Sequence, residues 1–270
     1  MITIDDYITK LRNEENSPEN CCTLSRDGEI QYMEAAKHRF ARIFGMIPNE
    51  ARPIRLLDVG PTPFTLFIKE ALPAHEVWGL DRTDLLRDRF VERGVQFKSC
   101  NLDEGKIPFE DQFFDIIIFT EVLEHIFGPP SEILQEFKRV LRPGGELILG
   151  VPNIARLSNR LRLLFGTSPL PDADNQMKRD WVHGHGHIHE YTRQEISDLC
   201  RKNGLEVTQT WMFSPRPGGA SMGKRNLIRV LSDGVSSLVP SFRYQILLRC
   251  RANHSEEEAA ILTFDDSRAA

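Results

Sequence analysis

The stretch IRLLDVG, residues 54–60, reads as a buried strand that ends in an acid and a glycine turn. Ile54, Leu56, Leu57 and Val59 give the near-continuous apolar run of a strand covered on both faces, as in a parallel sheet. Asp58 and Gly60 fall at its C-terminal end, where open α/β sheets hold their ligands. VWGLD, about twenty residues on, closes a second such strand with Asp81. A carboxylate in that position can accept hydrogen bonds from both hydroxyls of a ribose. Strand, glycine turn, helix, strand and acid together make a nucleoside-binding half-fold.

Outward from this unit the rhythm is regular. A helix over 63–72 stops at Pro73, a strand covers 76–80, and a helix over 84–93 stops at Gly94. Strands follow at 95–99 and 114–120, then a helix over 131–141 with Ile133, Leu134, Phe137, Val140 and Leu141 on one face. RPGG (142–145) reads as a turn before a strand at 146–151. Short turns between alternating strands and helices imply a parallel sheet with right-handed crossovers. After Pro152 the rhythm breaks, and residues 153–190 read as a lid inserted at the ligand end of the sheet. TRQE (192–195) is a capping box that opens a helix ending at Asn203-Gly204. Strands are expected at 205–213 and 242–250. Residues 1–50 read as an N-terminal helical cap, with a helix over 29–45. Residues 51–252 read as the main domain, and 253–270 as an acidic, frayed tail.

Composition narrows the classes. A chain of 270 residues that is 40% hydrophobic and 27% charged suits one elaborated α/β domain with a full core. The net charge of −5 gives no support for nucleic-acid binding. Five cysteines, an odd number, do not make a disulfide framework and fit a reducing compartment. MITIDDYITK lacks the apolar run of a secretory signal, and no stretch is long and apolar enough to span a membrane. A cytoplasmic protein is expected.

Five ordered segments carry a resemblance. They are LLDVGPTPFT (56–65), WGLDRT (78–83), CNLDEGKIPFEDQFFDIIIFTEVLEHI (100–126), FKRVLRPGGELILGVPN (137–153) and HIHEYTRQEISDLCRKNGLEV (187–207). Over roughly residues 30–250 the chain resembles the class I S-adenosylmethionine-dependent methyltransferases, with a type 11/12-like domain. The resemblance implies a doubly wound, Rossmann-like α/β sheet of seven strands, S-adenosylmethionine as cofactor, and transfer of its methyl group to a small-molecule or sugar-like acceptor. O-methylation is favoured weakly. A catalytically silent binding protein on the same fold is the alternative. A nucleotide-dependent oxidoreductase fits less well, because Pro61 and Pro63 remove amide donors that a pyrophosphate would need.

The resemblance also distributes roles. Asp58 would order the cofactor near its methionine ammonium, and Asp81 would take the ribose hydroxyls with Arg82 flanking the adenosine. The family's second loop glycine is missing, so the turn would hold the cofactor through Gly60 and through the amides of Thr62 and Phe64 or the Thr62 hydroxyl. Asn101, Leu102 and Asp103 would meet the adenine, although Asn and Asp also favour plain turns. Thr120 and Glu121 would lie closest to the sulfonium. Glu121, Glu124 and His125 share one helical face and could ligate a divalent cation. Most relatives with Val-Leu-Glu-His bind none there, and no metal is expected. For the proton acceptor the candidates are His125 and, in the histidine tract HGHGHIHE (183–190), His185 and His189, with His187 a further histidine of the same tract. Residues 225–239 could touch a membrane surface or a lipid-linked substrate. A helix packed over the acceptor pocket is the plainer reading.

Overall fold

The structure, a computed structural model, describes residues 2–13, 26–48, 52–170, 186–214 and 239–254. Seven strands form one sheet: β1 (Arg55–Val59), β2 (Glu76–Asp81), β3 (Gln96–Ser99), β4 (Phe114–Thr120), β5 (Leu141–Pro152), β6 (Leu205–Phe213) and β7 (Gln245–Ala252). Their order is β3-β2-β1-β4-β5-β7-β6. The strands from β3 to β5 pair in parallel, whereas β7 runs antiparallel to both β5 and β6. An all-parallel reading therefore fails at the last strand. Among the described residues seven α-helices accompany the sheet: α1 (Ile4–Asn13), α2 (Arg26–Phe44), α3 (Pro63–Ala71), α4 (Arg87–Glu92), α5 (Pro130–Val140), α6 (Leu157–Leu164) and α7 (Arg193–Lys202).

Alternation along the central strands builds two cores. Leu57, Val59, Ile117 and Phe119 join Phe137 of α5 and Ile196 of α7 on one face. Leu56, Ile116 and Ile118 join Phe64 and Phe67 of α3 and Met33, Phe40 and Ile43 of α2 on the other. Burial of such side chains is the main favourable term in folding. The Phe40 and Phe64 rings stack with centroids 4.3 Å apart, which fixes α2 over the start of α3.

Local sequence sets the element ends. Thr62 caps α3, with its hydroxyl accepting from the Phe64 amide and the Thr65 hydroxyl accepting from the Thr62 amide, and Pro63 sits where its missing N–H costs nothing. Thr192 and Glu195 form the expected box at α7. The RPGG turn lies inside β5 rather than before it. Leu141 already pairs with Phe114, the register then jumps to Ile116 with Glu146, and Gly144 at φ +75° carries the excursion.

Candidate active site

The C-terminal ends of β1, β2 and β4 frame a cleft of about 240 Å³. Its floor is the turn after β1. Gly60 has φ +75°, and a Cβ there would come within 2.7 Å of Val122 Cγ2, so the turn can pack this closely on Val122 only with glycine. Asp81 closes β2 on the cleft wall. Its Oδ1 accepts from the Thr83 amide at 3.3 Å, and burial raises its carboxyl above the usual range against the pull of the Thr83 and Arg82 amides. Thr120, Glu121 and Val122 supply the third wall and Tyr32 of α2 the fourth.

Asp58 lies beneath this floor. It is 4% exposed and accepts a hydrogen bond from the Thr65 hydroxyl. Burial pushes its carboxyl up to about 7, partly offset by Thr65 and by the Arg39 guanidinium. Arg39, itself buried, reaches in from α2. It donates to the Tyr32 hydroxyl at 2.9 Å and lies 3.4 Å from Glu121 Oε2, while its Nε meets no acceptor. Glu121 adopts φ +59°, a left-handed conformation that costs a non-glycine residue energy and is characteristic of functional sites.

Past Glu121 the wall becomes a buried cluster of acids and imidazoles. Glu124 has 0% exposure, and neither carboxylate oxygen finds a donor among the described residues. Burial and the neighbouring Glu121 charge drive its carboxyl well upward. His125 Nε2 stands 3.9 Å from Glu124 Oε1, and the His125 and His187 rings meet edge to face at 4.9 Å. His187 Nδ1 pairs with Glu190 Oε1 at 2.9 Å, and Arg156 Nη1 donates to Glu190 Oε2 at 2.6 Å. The Arg156 guanidinium covers the Tyr244 ring at 4.7 Å. Backbone bonds from Ile188 and His189 to the Glu124 carbonyl hold the 186–190 segment against this turn.

Of the residues singled out in the sequence, Gly60, Thr62, Asp81, Thr120 and Glu121 line the cleft, and Asp58 underlies it. Others are occupied differently. The Thr62 and Phe64 amides and the Thr62 hydroxyl are spent on the α3 cap, and the Phe64 side chain is in the core. Arg82 is half-buried beside Asp81 and is not part of the cleft wall. Asn101 Oδ1 accepts from the Asp103 amide and its Nδ2 donates to Glu104, so it caps the turn Leu102–Glu104. Leu102 packs on the core, and Asp103 Oδ1 clamps the Phe127 and Gly128 amides. Among the histidines, His125 joins the cluster. His189 is exposed and bonds Glu195 instead, at 2.8 Å. His185 and almost all of 225–239 lie outside the described residues. Arg39, Tyr32, Arg156, Glu190 and Tyr244 carried no sequence signal.

A cleft over β1, β2 and β4 with an acid closing β2 defines a nucleoside-binding α/β protein. Its first turn presents prolines in place of the amide donors a dinucleotide pyrophosphate requires. Residues 29–210 match the family described as "Methyltransferase domain". The chain belongs to that family, and S-adenosylmethionine is the cofactor that membership implies. It is 32% identical over 125 residues to the ubiquinone/menaquinone biosynthesis C-methyltransferase UbiE of Burkholderia orbicola, a match covering 43% of this chain and 51% of the relative. The chain thus spans about half the length of the curated relatives it matches. A methyltransferase solved with the Trm112 activator of Haloferax volcanii superposes with a TM-score of 0.58 at 15% identity, covering 94% of this chain and 97% of that one. A Thermotoga maritima S-adenosylmethionine-dependent methyltransferase gives 0.53 at 16%, covering 83% and 92%. At such identities the likeness concerns the fold alone.

The residues fit the implied cofactor. The cleft offers a half-buried carboxylate held by backbone amides at the β2 end, a tight glycine turn as its floor, and a buried Glu121 oxygen with no partner among the described residues. Among the described residues no helix is long and apolar enough to cross a membrane.

Proposed function

We propose that this chain transfers a methyl group from S-adenosylmethionine to a hydroxyl oxygen of a small, polar acceptor. The observation that carries the reading is that the Glu124–His125–His187 cluster adjoins Glu121 and Val122, which line the cofactor cleft. When bound, the cofactor supplies an electrophilic methyl on a sulfonium. Asp81 would bind the ribose hydroxyls, Gly60 would let the backbone approach, and Asp58 and Glu121 would offset the positive charge of the methionine end. The Glu124–His125–His187 cluster would take charge of the acceptor's proton, so that a hydroxyl becomes a nucleophile only when held in line. Of the two expected bases among the described residues, His125 belongs to this cluster, whereas His189 bonds Glu195 of α7. The net charge of −5 favours a small molecule over nucleic acid. A cytoplasmic location agrees with the free cysteines Cys100, Cys200 and Cys250.

A second reading is C-methylation, supported by the C-methyltransferase named among the relatives. Deprotonating a ring hydroxyl would activate either atom. Incubation with methyl-labelled S-adenosylmethionine and a panel of quinols, catechols and sugars, followed by mass spectrometry, tests both. O-methyl product supports the proposal, and ring-methyl product replaces it with the second reading. Cofactor binding without any product across acceptor panel and cell extract would favour a silent binding protein. Thermal stabilisation by NAD rather than S-adenosylmethionine would favour an oxidoreductase.

A further inference from the structure

Helix α6 ends in an apolar tip that the core does not use. Its inner side is secured: Leu157 and Leu161 are half-buried, and the buried Asn159 donates through Nδ2 to the Ile154 carbonyl at 2.9 Å. The outer end is the reverse. Leu163, Leu164 and Phe165 are consecutive and 59%, 75% and 78% exposed, and a run of large apolar side chains left in water marks an interaction surface. Arginine accompanies them. Residues 153–170 hold Arg156, Arg160 and Arg162 and no acid, in a chain whose net charge is −5. Arg156 is taken by Glu190, whereas Arg160 and Arg162 are exposed and form no ion pair among the described residues. We infer that the end of α6 docks on an anionic phospholipid surface, with Leu163–Phe165 entering the headgroup–acyl boundary and Arg160 and Arg162 meeting lipid phosphates.

Three features favour a bilayer as the partner. The first is charge together with apolar surface. Cationic attraction and apolar insertion add on an anionic membrane, whereas an isologous pair of copies joined through this patch would set the arginines of one against those of the other. The second is the backbone of the tip. The Phe165 amide donates to the Leu161 carbonyl at 3.1 Å and the Gly166 amide to the Leu163 carbonyl at 3.0 Å. The Thr167 amide and hydroxyl both donate to the Arg162 carbonyl at 2.8 Å. A turn bonded within itself can leave water for an apolar medium at little polar cost. The third is placement. α6 begins just past the C-terminal end of β5, where Gly150 pairs with Thr120 of the cleft wall. Asn153 Nδ2 donates to the Ser241 and Arg243 carbonyls, and the Arg160 guanidinium lies 4.9 Å from the centre of the Phe242 ring. The turn Pro240–Phe242 is thereby held beside α6, and its flanking Val239 and Tyr244 are exposed apolar side chains as well. Docking through this rim would set the ligand end of the sheet toward the lipid. The docking surface does not rest on the proposed methyl transfer.

The test is vesicle flotation of the full chain, with vesicles of phosphatidylcholine alone and of equal parts phosphatidylcholine and phosphatidylglycerol. The wild type should float with the mixed vesicles and stay behind with the neutral ones. Salt at ~1 M, where the Debye length falls to ~3 Å, should weaken binding to the mixed vesicles. Arg160→Gln combined with Arg162→Gln should lower the partition coefficient ~30-fold, about fivefold for each arginine. Leu164→Ser combined with Phe165→Ser should lower it at least tenfold. Arg93→Gln, which removes an exposed arginine at the end of α4, should change nothing. Melting temperature and S-adenosylmethionine affinity near wild type show that the variants are folded. No flotation at millimolar lipid, equal flotation with both kinds of vesicle, or either double variant floating as well as the wild type overturns the inference. A wild-type dimer in light scattering that Leu164→Ser with Phe165→Ser converts to monomer, without flotation, overturns it too and gives the patch to a second copy of the chain.

Discussion

Replacing Asp58 by Asn isolates the cost of burying a charge under the cofactor turn. The wild-type carboxyl rises from 3.8 to about 7 because the group is buried, with only the Thr65 hydroxyl and the Arg39 charge in opposition. Between these values the folded chain holds a proton that the unfolded chain has released. Stability from this group is therefore fully present below about pH 4 and is lost as pH rises through about 7. The full shift corresponds to ~4 kcal/mol at ~1.36 kcal/mol per pH unit. The part falling between about pH 5 and about pH 8.5 is ~2.5 kcal/mol. Asn keeps an oxygen for Thr65 and has no charge to bury, so it removes this slope. In cofactor-free protein, the melting temperature of Asp58→Asn relative to wild type should rise by roughly 5–10 °C from about pH 5 to about pH 8.5. Scanning calorimetry at four or five pH values, with urea midpoints as a check, measures it. A stability difference that stays constant across that range would refute the reasoning and reduce Asp58 to an acceptor for Thr65. Saturating S-adenosylmethionine should flatten the wild-type slope, since a cation near Asp58 restores the value of its charge.

Two further outcomes are expected. Asp81→Ala should weaken S-adenosylmethionine binding at least tenfold in calorimetry, as a hydrogen bond to a charged group is worth ~1.5–3 kcal/mol, and unchanged affinity would take Asp81 out of the site. Gly60→Ala should destabilise the chain by ~1–3 kcal/mol, because φ +75° is strained for alanine and its Cβ meets Val122, with denaturant midpoints as the measure.

Sequence and structure agree most closely where local chemistry decides. The Thr62–Thr65 and Thr192–Glu195 boxes set helix starts through hydrogen bonds between near neighbours, and the apolar runs of β1 and β4 mark strands covered on both faces. The antiparallel β7 is harder to read, because a single strand's composition does not encode its direction. The same division holds in the site. Gly60, Asp81, Thr120 and Glu121 could be picked out because the C-terminal end of a parallel strand is where ligands bind whatever the fold's details. Asp103 was misread for the same kind of reason: its local pattern was right, but its carboxylate is claimed by the Phe127 and Gly128 amides, which only the folded chain brings near.

The buried wall shows what a local reading cannot reach. Glu124 follows β4 in a short turn and would be unremarkable in isolation. It matters because α2 sends Arg39 toward Glu121 from one side, while the return of the chain at 187–190 brings His187 and Glu190 from the other. Neither approach has a periodicity or a motif. Each exists because apolar contacts elsewhere, such as Phe40 on Phe64 and Tyr191 in the α5 face of the core, fix backbone positions from which polar side chains can reach. A carboxylate left without donors at the meeting point of such segments would ordinarily be selected against by its own desolvation. It is kept here beside two imidazoles, His125 at 3.9 Å and His187 oriented by Glu190 and Arg156, at the edge of the cleft where the proposed methyl transfer would take place.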